Sequence, residues 1–393
     1  MPEVVVVGGG PAGTAAAVFL RQLGHEVVLV DEARFPRDKI CGEGVSPEAW
    51  RLLARMGADA AVRALRPRPV RGMKLTAPDG TAFRGEYRGA REPGFAVRRW
   101  CLDRALLECA RAAGVDVREA VRARDVVRRD GTVRGVAVES GGAIERLDAR
   151  LVVAADGRRS MVARKLGLLR EHRTLRKFAV RGYWKGVEGL TDHGEMHVTR
   201  GGYCGIAPLG DEEANITFVL DQAEMGAAGG GLADFYLRTL ERWPRVRERL
   251  GRASLTSPPR AIGPLALEAR RVSAPGAVLV GDAAGFYDPF TGEGVTLALR
   301  GAEIAAEVAH RALANGATDL RLYDRLRDEA TRDKFRLNRL LQRVVAWPAL
   351  ANAVAKRLAR RPDLADRLVG IAGDFVPART AFGARFLYEM IRG

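Results

Sequence analysis

Three glycines set the first chemistry. Gly8, Gly10 and Gly13 stand at G-x-G-x-x-G spacing directly after Val4–Val7, and the small helix formers Thr14-Ala15-Ala16-Ala17 follow. In such a turn the first glycine permits the tight bend, and the second lets backbone approach a pyrophosphate. The third lets a helix pack closely on its strand. Pro11 and Ala12 complete the bend at a helix N-terminus, whose unpaired N–H groups and partial positive charge suit phosphate. Asp31 closes the next apolar run, Val27–Val30, where a dinucleotide fold places the carboxylate that accepts hydrogen bonds from ribose hydroxyls. The context predicts a dinucleotide site.

Further acids and glycines recur at strand ends. Asp156-Gly157 closes the run Leu151–Ala155, Gly281-Asp282 closes Ala277–Val280, and Pro289-Phe290-Thr291-Gly292-Glu293-Gly294 opens a long helix. Cys41, beside Gly42, is either a redox-active or substrate-orienting thiol or a small residue packed among glycines. Glu43 and Glu293 either deliver protons or cap loops, and a helix-start carboxylate is the leading reading for Glu293. His193, Glu195 and His197 alternate along one strand, but their spacing matches no zinc motif and reads as strand packing. Tyr203 and Cys204 either line a substrate cavity or pack within a sheet.

The elements that must position these residues follow from pattern. Unalternating β-branched runs at Val4–Val7, Val27–Val30, Leu151–Ala155 and Ala277–Val280 predict strands of a parallel sheet buried on both faces. Ser46-Pro47-Glu48 reads as a capped helix start running to about Met56. Hairpins are expected around Asp79-Gly80 and around Asp130-Gly131. A helix is expected from Trp100 to Ala113 and another from Gly294 to Ala314. Between 172 and 268 apolar and polar residues alternate, which predicts a mostly antiparallel sheet. The expected architecture is α/β: a discontinuous, doubly wound, Rossmann-like nucleotide domain with an inserted antiparallel-sheet substrate domain and a helical C-terminal region. Its segments are 1–72, 95–171 and 269–318 for the nucleotide domain, 73–94 and 172–268 for the substrate domain, and 319–393 for the helices.

Bulk composition narrows the class. The 393 residues are 47% hydrophobic and 28% charged, as in a globular enzyme and unlike a disordered chain. The net charge of +16 is spread among acids, and aromatics are only 6%, so no nucleic-acid surface is expected. The four cysteines form no C-x-x-C pair, which fits a reducing compartment. With no signal peptide and no long apolar run, the expected location is cytoplasmic, with peripheral contact at the inner membrane face as an added possibility for the basic, leucine-bearing stretch Lys334–Arg361.

Together, Gly8-x-Gly10-x-x-Gly13, Phe35-Pro36-Arg37-x-Lys39-x-Cys41-Gly42-Glu43-Gly44, Asp156-Gly157 and Gly281-Asp282-Ala283-Ala284-Gly285-x-x-x-Pro289-x-Thr291-Gly292-Glu293-Gly294 carry a resemblance over most of the chain. They resemble the p-hydroxybenzoate-hydroxylase superfamily of FAD-dependent oxidoreductases, and within it the geranylgeranyl reductase family. The resemblance implies bound FAD, with Asp282 on the ribityl chain and the helix N-terminus at Gly292 and Gly294 facing the flavin ring. It places Arg98 at the FAD phosphates and Cys41 near the isoalloxazine. Gly285 stands where aromatic hydroxylases usually carry His. The stretch Tyr203-Cys204-Gly205-Ile206-Ala207-Pro208 departs from the family's Y-x-W-x-F-P pattern, which widens the expected substrate from isoprenoids to quinone- or polyketide-like lipids. The implied reaction is reduction of C=C bonds by hydride from the flavin. The competing readings are hydroxylation through a flavin hydroperoxide and a non-catalytic flavin-bound lipid carrier. No second glycine fingerprint is present, so NAD(P)H is expected to bind only transiently, or another donor to serve.

Overall fold

The computed structural model describes residues 2–172, 175–225 and 231–391. Val4–Val7 lies at the centre of a six-stranded sheet and is buried along its whole length. It pairs in parallel with Leu151–Ala154 on one edge and Val27–Asp31 on the other. A strand enclosed in this way has no solvent face, which is why the valines show no polar alternation. Ala277–Leu279 and Asp116–Glu119 extend the sheet in parallel, and only the edge strand Ser273–Ala274 runs antiparallel. The helices Pro11–Gln22, Arg99–Ala112 and Gly294–Ala314 pack on and beside this sheet.

A second sheet of eight strands stands against the first. Its order is Ser254–Leu255, Lys177–Lys185, Glu213–Asp221, Gly202–Pro208, His193–Thr199, Gly72–Thr76 and Ala82–Glu86, with Arg260–Ile262 also on Lys177–Lys185. All pairs are antiparallel except Gly72–Thr76 with His193–Thr199. Each face of this sheet carries its own apolar core. One gathers Cys204, Phe218, Tyr236 and Trp243; the other gathers Met196, Tyr203, Val219 and Phe290. The helices Pro348–Arg360 and Pro362–Ala372 cover the hairpin strand Ala82–Glu86, so the sheet edge is not left open. A Cβ at Gly85 would lie 2.6 Å from the Ala365 carbonyl oxygen, which accounts for glycine at that crossing.

Two expectations need correction and one extension. The hairpin expected around Asp130-Gly131 is present as Arg122–Arg129 and Thr132–Ser140, and the exposed strand Ala143–Asp148 extends it to three strands. That third strand buries little, so it shows no apolar alternation. Ser46 does not cap a helix with its side chain; the helix is Ala49–Met56, and Ser46 Oγ pairs with Thr296 Oγ1 at 2.5 Å. The long helix Arg321–Ala346 turns Leu340 outward, while Lys334, Asn338 and Gln342 are buried at four-residue spacing. Its inner face is partly polar.

Candidate functional site: a cavity between two sheets

One cavity of about 1070 Å³ runs between the sheets from the glycine turn to an apolar wall. It exceeds the usual span of small-molecule pockets, roughly 300–1,000 Å³. Its first end is built by close backbone approach. Gly8 has φ +104°, and a Cβ there would meet the Ala155 carbonyl oxygen at 2.4 Å. Asp31, at the end of its strand, accepts from the Gly9 amide (2.6 Å) through one oxygen and from the Ala33 amide (2.8 Å) through the other. It therefore fixes the turn, and as a cavity-lining carboxylate it keeps lone pairs for a further donor.

Cations surround this end. The Arg37 guanidinium lies 3.4 Å from the position a Gly10 Cβ would take. Arg37 and Arg99 share the fully buried Asp103, Arg99 through two bonds of 2.7 and 2.8 Å and Arg37 at 3.1 Å. Lys39, Arg158 and Asp282 also line the cavity, and burial pulls the Lys39 ammonium down despite the attraction of Asp282. Asp156 lines the cavity as well, and its Oδ2 accepts from the Met161 amide at 2.7 Å at the start of the short helix Met161–Lys165, which Ser160 caps. Gly157 and Gly281, with φ of +74° and +60°, carry the chain around the two strand ends.

The middle of the cavity holds the titratable groups. Cys41 lines it, its carbonyl held by Asn215 Nδ2 at 2.8 Å. Glu43 sits in the left-handed region at φ +62°, a strained conformation for a non-glycine residue. Its Oε1 accepts from the Arg99 amide at 3.0 Å and from the Tyr183 hydroxyl, and its buried Oε2 has no partner among the described residues. Burial raises the Glu43 carboxyl above its usual range, against the pull of Tyr183. Pro289, Gly292, Glu293 and Gly294 line the opposite wall at the start of the helix Gly294–Ala314. Glu293 occupies the N-cap position but makes no capping hydrogen bond; it pairs with Lys334 Nζ at 3.0 Å.

The far end is apolar. Ala179, Met196, Tyr203, Val219, Leu265 and Phe290 face the cavity from one cluster. The Tyr203 hydroxyl donates to Asp288 Oδ1 at 2.6 Å, and its ring meets Phe290 edge-on at 5.0 Å. Nearby, the alternating trio is held by polar partners of the protein itself. His193 sits between Glu86 (3.1 Å) and Asp192 (2.8 Å), and Glu195 binds Arg249 at 2.7 Å and His197 at 3.1 Å. Burial alone would raise the Glu195 carboxyl, but His197 and Arg249 prevail and hold it down to about 2.

A group whose folded pKa is depressed stabilises above its unfolded value, here 4.5, and loses that stability as pH falls toward 2. The span corresponds to about 3 kcal/mol. Glu195→Gln is expected to lose stability of that order at pH 7 and to flatten the acid limb between pH 5 and pH 2 in denaturant titrations, roughly as linkage requires.

Two candidate residues are not where the sequence placed them. Arg98 does not reach the cavity: it pairs with Glu213 at 2.9 Å and lies over the rings of Trp100 and Tyr183, while its neighbour Arg99 lines the wall. Cys204 is fully buried in the core on the far face of the sheet, because successive strand residues point to opposite faces and Tyr203 takes the cavity side. Gly13 also lies off the wall; it serves the helix–strand contact. Gly8, Gly10, Pro11, Ala12, Asp31, Cys41, Gly42, Asp156, Gly157, Gly281, Asp282, Pro289, Gly292, Glu293, Gly294 and Tyr203 all line the one cavity. Missed by the sequence reading were Arg99, Tyr183, Asp288 and Lys334; only Arg99 had a local signal, Asp103 four residues later on the same helix face.

The glycine cradle, the cations around it and the cavity's volume fit a flavin dinucleotide. Residues 1–331 match the family model described as an FAD binding domain. The menaquinone reductase of Mycolicibacterium smegmatis is 33% identical over 337 residues, covering 81% of this chain and 78% of that protein. The digeranylgeranylglycerophospholipid reductase of Methanothrix thermoacetophila is 32% identical over 329 residues, covering 80% of this chain and 79% of its own. The chain belongs to the geranylgeranyl reductase family of FAD-dependent oxidoreductases. Among solved structures, a flavoprotein/dehydrogenase from Cytophaga hutchinsonii shares the fold with a TM-score of 0.86 at 20% identity, covering 99% of this chain and 95% of that one. The family membership makes the protein an FAD-dependent enzyme.

Proposed function

We propose that this enzyme reduces carbon–carbon double bonds in an isoprenoid-bearing lipid such as a polyprenyl quinone. The observation that carries the reading is the continuity of one cavity from the phosphate-binding turn to the apolar wall of Tyr203, Phe290, Met196, Val219 and Leu265. The names of the two relatives support it, since both act on isoprenoid lipids or a quinone by their descriptions. Bound FAD would supply two-electron chemistry at the cavity's middle. Arg37, Arg99, Lys39 and Arg158 would neutralise its pyrophosphate, Asp31 would take a ribose hydroxyl, and Asp282 the ribityl chain. The N-terminus of Gly294–Ala314, at the cavity wall, would favour negative charge on a flavin bound there. Cys41, Glu43 and Glu293 line the cavity and would be the groups that supply a proton, and the apolar wall would exclude water from the reacting carbons. Electrons enter from transiently bound NAD(P)H or from a carrier protein.

The test uses protein whose flavin has been reduced anaerobically, mixed either with oxygenated buffer or with a polyprenyl quinone. Slow reoxidation by oxygen, with transfer of electrons to the unsaturated lipid and a saturated product, supports the reductase. Fast reoxidation coupled to a hydroxylated product would make the enzyme a monooxygenase. Failure to accept electrons from any donor would leave a flavin-bound lipid carrier. As a check on the site, Asp282→Ala is expected to lose FAD through gel filtration while Glu195→Gln retains it; equal retention would overturn the assignment of Asp282.

A membrane contact belongs to the same reading. Among the described residues no helix is long and apolar enough to cross a membrane. Arg336, Arg339, Leu340 and Arg343 are exposed on the helix Arg321–Ala346, and exposed Trp347 (70%) and Leu350 lie at and just past the corner where Pro348–Arg360 begins. A basic stripe carrying an aromatic and leucines suits an anionic bilayer surface. Trp347→Ala should weaken co-sedimentation with anionic vesicles several-fold; unchanged binding would remove the helix corner from the contact.

A further inference from the structure

The cavity wall carries a group of buried charges that phosphate and ribose recognition do not use. Lys334, on the long helix Arg321–Ala346, donates from Nζ to Glu293 Oε1 at 3.0 Å and to the Ile371 carbonyl. The same ammonium lies 3.0 Å from Asp374 Oδ1, and Arg300 Nη1 lies 3.6 Å from that oxygen. Asp374 follows the helix Pro362–Ala372 in the left-handed region, at φ +68°, with a fully buried side chain. Neither of its oxygens has a hydrogen bond of good geometry among the described residues. Tyr87, at the end of the hairpin, faces the same cluster, and its phenol is raised by burial, Glu293 and Asp374. Glu293, Lys334, Arg300 and Tyr87 all line the cavity.

Two carboxylates share the Lys334 ammonium, and Arg300, at 3.6 Å from Asp374, is also held by Glu48 at 3.2 Å. Shielded from water, Glu293 and Asp374 are not both readily ionised, and a buried carboxylate without a well-formed hydrogen bond is costly. Sharing a proton relieves the conflict. Of the two carboxylates Glu293 is the one that lines the cavity, and burial, opposed by Lys334 and reinforced by Asp374, raises its carboxyl well above the usual range.

We propose that Glu293, Lys334 and Asp374 hold one exchangeable proton at the cavity wall, and that Glu293 is the acid releasing it during reduction, with Lys334 and Asp374 as positioning residues. The proposal rests on the reductase reading for the proton's destination. Hydride addition to one alkene carbon leaves an electron pair on the other. The Glu293 O–H bond breaks, the proton joins that carbon, and its bonding pair stays on the carboxylate, which the Lys334 ammonium neutralises. Solvent returns a proton before the next turnover, and the two electrons come from the nicotinamide or carrier donor by way of the flavin.

The first readout needs no substrate. Infrared difference spectra of the full-length, FAD-loaded protein are taken across a pH titration, following the carbonyl stretch of protonated carboxyl groups. Wild type should show a buried protonated carboxyl at pH 7 that disappears in Glu293→Gln. Lys334→Met should move its midpoint up and Asp374→Asn should move it down, each by about one unit or more, and Lys334→Arg should restore it. A band that persists in Glu293→Gln, or a midpoint indifferent to both neighbours, would overturn the proposal. Glu293→Gln and Asp374→Asn are nearly isosteric, so they decide the matter should Lys334→Met fail to fold. If the infrared pattern appears but no unsaturated lipid is reduced, the proton store stands and the reductase reading falls. If lipid is reduced with a pH profile that ignores Asp374→Asn, Glu293 is not the acid.

Discussion

Gly13→Ala should yield a protein that neither retains FAD nor folds stably. The added Cβ would lie 1.8 Å from the Gly8 carbonyl oxygen and 3.0 Å from the Ala155 Cβ. The first neighbour is backbone, which cannot rotate away. The helix Pro11–Gln22 would have to lift off, yet Pro11 through Leu20 are all buried. Such overpacking commonly costs about 1–3 kcal/mol, and a backbone collision in a turn held on three sides belongs above that range. Thermal unfolding with excess FAD, together with the flavin content of the purified protein, measures the effect. Gly42→Ala and Gly294→Ala provide the contrast. Both glycines line the cavity, and a Cβ at either meets nothing within 4 Å. These variants should fold as wild type, so any loss of flavin from them reports the cofactor's own position.

Asp103→Ala is expected to be nearly as damaging for an electrostatic reason. Asp103 has no exposure, and it neutralises both Arg99 and Arg37 at the cavity wall. Removing one partner of a buried ion pair typically costs about 3–5 kcal/mol, because the remaining charge is left without compensation. Here two guanidinium groups are left. Saturating FAD or inorganic pyrophosphate should therefore raise the melting temperature of the variant more than that of wild type. An equal response in the two proteins would mean that these arginines do not face the cofactor's phosphates.

The nucleotide half of the site was legible because its signals are local. A run of valines announces a strand buried on both faces, and glycines at 8, 157 and 281 mark positive φ where the chain must turn. The misplacements arose where orientation depends on distant packing. Arg98 and Arg99 are adjacent, and only the start of the helix at Arg99 decides which one faces the cavity. Tyr203 and Cys204 exchange roles with a one-residue change of face, and both faces of that sheet are buried, so alternation in hydrophobicity could not choose between them. Lys334 was read as part of a basic helix surface. Its burial follows from Glu293, 41 positions earlier, and from Asp374 beyond the next two helices. Pairing over such distances leaves no periodic trace.

The central position of Val4–Val7 bears on how the chain is made. That strand is made well before its neighbour Leu151–Ala154 and the further strand Ala277–Leu279. The hairpin strand Gly72–Thr76 likewise waits for His193–Thr199. At translation rates of about 5–20 residues per second, the nascent N-terminal segment spends roughly tens of seconds with apolar strand edges unpaired. Shortened N-terminal pieces of this enzyme should therefore accumulate as aggregates, and its yield in a cell should depend on chaperone capacity more than the stability of the finished fold would suggest.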